Sequence, residues 1–200
     1  MPVKDEREYR SMAMPLAIPP DTSKRFDTDK YVEGYATTFN DPYILYEYDG
    51  IKYYEIVDRN ALNEADLSDI IMQYDHEGKV LARGSNGTLG IEADEKGLFI
   101  FADLSKSRAA KDMHKEIKAG LVTKMSWAFR VLEESYNEET RTRTILKIKK
   151  VYDVSAVSYP ANSGTDIAAR SFVDGVIGKE QQELLERRKK LLLLKIKVEE

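Results

Sequence analysis

Ser126 sits alone among bulky side chains in the run "TKMSWAFRV" at 123–131. A hydroxyl in that setting is either a hydrogen-bonded filler or a nucleophile, and it becomes a nucleophile only when a positioned base takes its proton. Bases near neutrality are scarce, because the 200-residue chain holds two histidines and no cysteine. His76 lies in "QYDHEGKVLARG", where an apolar stretch ends in a polar bend, and His114 lies within a helical pattern. The lack of cysteine removes disulfides, thiol catalysis and thiolate metal sites. Asp75, His76 and Glu77 are consecutive, so in extended chain they alternate in direction and cannot easily share one ion. We expect no metal and no cofactor.

Strand alternation over 125–129 places Met125, Trp127 and Phe129 on one face and Ser126 with Ala128 on the other. The bulky face reads as core; the small-residue face leaves room to approach the hydroxyl. Pairing arithmetic adds a carboxylate. If 121–135 and 143–158 form a hairpin about "EET", a symmetric register sets Asp153 opposite Ser126, within reach of a bridging histidine. A bulge in so long a hairpin shifts that pairing. Two rivals stand beside this set. Lys124 shares the Ser126 face and allows a Ser–Lys dyad, although a solvated lysine is the plainer reading. His114 allows a Ser–His–His arrangement, although its helix gives it structural duty.

The elements that must position these groups are mostly strands. Apolar residues make up 42% of the chain and charged residues 33%, enough for a core with a well-solvated surface. The net charge of −4 weighs against nucleic acid as a direct partner. The "LLLL" run at 191–194 is far shorter than the roughly 20 residues a bilayer needs, and the N-terminus carries mixed charges with no apolar block behind them. Residues 1–30, rich in proline, read as an extended arm. From Tyr31 onward β-branched and aromatic runs alternate with turns, among them Asp49–Gly50, a type I′ hairpin signal. Residues 105–120 read as a helix, with Ser105 or Ser107 as N-cap, Ala110, Met113 and Ile117 on its apolar face, and Gly120 as its stop. Residues 171–200 form a second helical pattern, an amphipathic or partner-binding tail with Leu184, Leu191 and Val198 seven apart.

Three segments taken in order carry a family resemblance: "YVEGYATTFN", "YDHEGKVLARGSNGTLGIEADEKGLFIFADL", and "IKAGLVTKMSWAFRV" leading to "VYDVSAVSYPANSGT". From about Tyr31 to Arg170 the chain resembles the prohead proteases of tailed bacteriophages, serine proteases of capsid maturation distantly related to herpesvirus assembly proteases. The resemblance implies a protease domain over 31–170, of mostly β, α+β class: a small, closed or nearly closed barrel of the herpesvirus-protease type, flanked by helices, with the tail outside it. It also implies His76 as general base and Ser126 as nucleophile. Asp153 matches the family's acidic third position, where glutamate is more frequent.

The substrate so implied is the scaffolding segment of the major capsid protein, and the protease itself, which could also self-associate. The place is the assembling prohead in the host cytoplasm, with no membrane and no nucleic acid partner. The alternative is an assembly scaffold that keeps the protease fold without needing its activity. Under the protease reading, hydroxyl, imidazole and carboxylate must converge where a peptide can reach.

Overall fold

The computed structural model describes residues 6–20, 24–158 and 167–199. Twelve elements follow one another: β1 (Glu8–Pro15), β2 (Tyr31–Thr38), β3 (Tyr43–Tyr48), β4 (Ile51–Val57), β5 (Ile71–Tyr74), β6 (Glu77–Arg83), β7 (Leu89–Ala93), β8 (Gly97–Asp103), α1 (Arg108–Lys118), β9 (Lys124–Asn137), β10 (Thr142–Val157) and α2 (Ile167–Glu199). The mostly β, α+β class is as expected. The strands divide into a seven-stranded sheet and a three-stranded sheet, β2-β8-β7. Among the described residues the two sheets do not close into a barrel, so the closed form of the expected barrel is not seen.

The frame of the large sheet is the β9–β10 hairpin. It has β1 on its free β9 side, and β4 and β5 pair parallel to different stretches of β10. Alternation places Met125, Trp127 and Phe129 in the core, with the last two rings stacked at 4.1 Å. That core is shared with the small sheet through Val32, Leu98 and Ile100, and with α1 through Ala110, Met113 and Ile117. Burying each of these side chains other than that of Ala110 contributes roughly 1.5–3 kcal/mol. β2 and β8 approach so closely that a Cβ on Gly97 would lie 2.0 Å from the Thr37 carbonyl oxygen, so glycine alone fits there.

The local signals of the chain act as their chemistry dictates. Asp49 and Gly50 both take positive φ, at 49° and 74°, in the turn of the β3–β4 hairpin. Ser107 caps α1 by accepting from the Ala110 N–H at 3.1 Å. At the other end Gly120, φ 74°, donates to Ile117 and Leu121 donates to Glu116, a Schellman stop.

Two stretches differ from the sequence reading. Within the proline-rich arm, residues 8–15 are a sheet strand, not a free segment. On α2 the exposed leucines 184, 185, 191, 193 and 194 surround the helix instead of lining one face, because consecutive leucines are turned about 100° from one another. Among the described residues the early part of α2 packs, through Phe172, Val173, Val176 and Ile177 against Leu45, Tyr53 and Tyr136. No described helix is long and apolar enough to cross a membrane.

Candidate active site

The turn between β5 and β6 carries the histidine. Tyr74 pairs with Glu77, so Asp75 and His76 are the two central residues of a tight hairpin, with φ of 50° and 62°. Both are non-glycine residues in the left-handed region, at a cost of about 1–3 kcal/mol each. The surroundings hold them there: the Asp75 N–H donates to the Ala156 carbonyl (3.1 Å) and the His76 N–H to Ser155 Oγ (3.2 Å). The parallel pairing of β5 with β10 brings this turn to the far end of the hairpin frame.

There the three sequence-predicted residues meet. His76 Nδ1 lies 2.5 Å from Asp153 Oδ1, and Nε2 lies 2.6 Å from Ser126 Oγ. An ionised carboxylate only accepts, so Nδ1 carries the proton and Nε2 is left as the acceptor for the serine hydroxyl. Asp153 is 2% exposed and also accepts from Ser155 Oγ at 2.9 Å. Hydroxyl, imidazole and carboxylate therefore form one chain of hydrogen bonds across residues 50 and 77 positions apart.

The hairpin reaches this arrangement through a register different from the symmetric one. Ser126 faces Ser155, and Asp153 faces Ala128. Four irregularities along β10 add a net offset of two residues by Asp153, and an even offset keeps the side chains from there to the strand end on their faces. Asp153 thus stays on the Ser126 face, diagonal to it rather than opposite.

Lys124 and His114 are not part of this chain of contacts. Lys124 is half-buried at the start of β9. His114 is buried on α1 with Nε2 unpartnered, and burial, then the charge of Lys30, lowers its pKa below the usual imidazole value.

Two contributions escape the sequence reading. Ser155 ties the carboxylate to the histidine backbone; its only signal is its position two residues after Asp153 on the same strand face. The other is β1. Ser126 is just 1% exposed, so the reach that a peptide needs is absent in this arrangement, and β1 is one of the elements over it. Ser11 of β1 faces Ser126, the Arg10 carbonyl oxygen lies 3.0 Å from Ser126 Oγ, and the Tyr9 ring stands edge-on to the His76 ring at 4.7 Å.

On the opposite face of β1 lies a buried ion cluster. Arg10 Nε donates to Glu55 (2.6 Å) and its Nη2 to Glu8 (2.5 Å), while Arg143 donates to Glu8 (2.6 Å) and Glu55 (2.8 Å) and binds Glu134. Tyr43 adds its hydroxyl to Glu55. Burial alone would raise the Glu8 pKa, but the Arg143 hydrogen bond and the Arg10 charge outweigh it and hold the carboxyl at about 2. For Glu55 burial likewise pushes up, and the charges of Arg10 and then Arg143 pull below the usual value.

A serine hydroxyl, an imidazole and a buried carboxylate in series on a β framework are the constellation of the serine peptidases. Comparison with known proteins narrows the class. The description "Caudovirus prohead serine protease" belongs to a family profile that matches residues 20–175, and the chain belongs to that family. It is 30% identical over 145 residues to the prohead protease of enterobacteria phage HK97, a match covering 72% of this chain and 61% of that protein. The aligned stretch thus spans about three fifths of the relative's length. No solved structure matches the chain. The end of the last resemblance motif, residues 159–165, lies outside the described residues.

Proposed function

We propose that this chain is a serine endopeptidase that processes the scaffolding segment of a major capsid protein, and itself, during prohead maturation. The observation that carries the reading is the continuous hydrogen-bonded path Asp153–His76–Ser126. In the reaction Ser126 Oγ attacks a peptide carbonyl while His76 Nε2 takes its proton and later delivers it to the leaving amine. Asp153 holds the ring and stabilises the imidazolium. Water then releases the acyl group by the same exchange in reverse. Family membership supports a site of action inside the assembling prohead, in the host cytoplasm, with the capsid protein as partner.

The burial of Ser126 favours a second reading, an assembly scaffold that keeps the fold without depending on catalysis. Co-expression with the cognate capsid protein separates the two. Wild type should yield capsid protein of mature length and Ser126→Ala only the full-length precursor. Mature-length product from the Ser126→Ala chain would exclude the protease reading.

A further inference from the structure

What covers Ser126 is the chain's own strand, and it covers it in a particular way. A peptide substrate of a serine peptidase has to lie extended beside the nucleophile, set the carbonyl of the bond to be cut against the hydroxyl, and seat its side chains in neighbouring pockets. β1 does all three. It runs antiparallel to β9, with Arg10 opposite Trp127 and Ser11 opposite Ser126. The single proton of the Ser126 hydroxyl has two acceptors in reach, the Arg10 carbonyl oxygen at 3.0 Å and His76 Nε2 at 2.6 Å, and attack requires it turned to His76 so that Oγ faces the Arg10 carbonyl carbon. Tyr9, one residue earlier, packs on the imidazole.

The side chains of β1 enter a pocket of matching charge. The body of the protein supplies Glu55, Glu134 and Arg143, and β1 supplies a cation to Glu55 and an anion to Arg143. Glu55 is fully buried, so with β1 gone its carboxylate would keep Arg143 but lose a guanidinium bound at 2.6 and 3.0 Å. A buried charge that loses a partner is costly, so the pocket favours a basic side chain at this position and an acidic one two residues before it.

We propose that β1 occupies the place of a substrate strand, that Arg10–Ser11 is the first bond this enzyme cuts, and that Glu55 selects a basic residue on the acyl side of the cut bond. The inference rests on the peptidase reading of Ser126, His76 and Asp153. In the step, Ser126 Oγ bonds to the Arg10 carbonyl carbon as His76 takes the hydroxyl proton. The carbon–nitrogen bond to Ser11 breaks, and His76 gives its proton to the new amine. Water attacks the Arg10 ester, His76 takes a proton from it, and the Arg10 carboxylate leaves as Ser126 regains its proton. Release of residues 1–10 uncovers β9 from Trp127 to Phe129 and empties the pocket for a segment of another chain, with Ser11–Pro15 still beside Lys124–Ser126.

The test follows the N-terminus of the purified full-length chain by intact mass and N-terminal sequencing. The expected result is a new terminus at Ser11, formed at a rate independent of protein concentration and absent in Ser126→Ala. Arg10→Lys should keep the cut and Arg10→Glu should slow it at least tenfold. A synthetic peptide of residues 6–15 should be cut after its arginine at least tenfold faster than the same peptide with glutamate there, and Glu55→Gln should narrow that ratio. An intact N-terminus in a chain that cuts the peptide overturns the proposal and leaves the peptidase reading standing. So does self-cleavage whose rate rises with concentration, or equal cutting of both peptides. Failure of the wild type to cut itself, the peptide and unfolded casein removes the peptidase reading as well.

Discussion

In the proposed reaction Asp153 touches no reacting atom and acts through one bond to His76 Nδ1. Asparagine in its place fits the space but offers an N–H to the ring, which favours the tautomer with the proton on Nε2 and leaves no base for Ser126. Asp153→Asn should lower kcat on the order of 10³–10⁴-fold with KM little changed, read by steady-state peptide hydrolysis. Ser155 acts one step further out, donating to Asp153 and accepting from the His76 backbone. Ser155→Ala should cost about 1–2 kcal/mol in denaturant unfolding and lower kcat roughly tenfold, with Ser155→Thr restoring part of both. At this scale the sequence is informative because of scarcity: two histidines and one serine amid bulky strand residues leave few combinations. Ser155 is different. A serine two residues from an acid has no signature until the fold brings a turn above it.

Between residues and whole molecule, register decides what meets. The hairpin turn and strand alternation are visible in the sequence, and alternation survives the offset of two residues because that offset is even. The ion cluster is not visible, since it joins β1, β4, β9 and β10, and the parallel contact of β4 with β10 leaves no local trace in the chain. Arg143 is its hinge, with three carboxylates around one 1% exposed guanidinium. Arg143→Ala should destabilise the fold by about 3–5 kcal/mol at pH 7, measured in urea, because Glu8 and Glu55 are left buried with less positive charge.

The same cluster sets an acid limit. Glu8 has its folded pKa near 2 against an ordinary 4.5, so its contribution is complete above about pH 4.5 and is lost as pH falls through 2. The difference between wild type and Arg143→Ala should shrink over that window, since protonated carboxyls no longer need the cation. A difference that stays constant from pH 7 to pH 3 would assign the loss to packing against Phe172, over whose ring Arg143 lies at 4.7 Å.

On the scale of the molecule, two sheets and α1 share one core, whereas α2 packs by its beginning into a second cluster with Leu45 and Tyr53. Sequence patterning shows that the last thirty residues are helical, but not where attachment stops, because charges and leucines alternate through the whole tail. Burial marks the place: Phe172 is 5% exposed and Val173 0%, while Leu184, Leu185, Leu191, Leu193 and Leu194 are all more than half exposed. Stability should therefore divide at about residue 180. A chain ending at Glu180 keeps the Phe172, Val173, Val176 and Ile177 contacts and the Lys179–Glu138 ion pair, the latter exposed and worth little. Its thermal midpoint should lie within about 2–4 °C of the full chain, the shift that ~1 kcal/mol produces at this size. Phe172→Ala in the full chain should instead lose about 3–5 kcal/mol by opening a cavity between Tyr136 and Arg143. Should the shortened chain melt as early as Phe172→Ala, the distal helix would have to be part of the folded body and not an appendage to it.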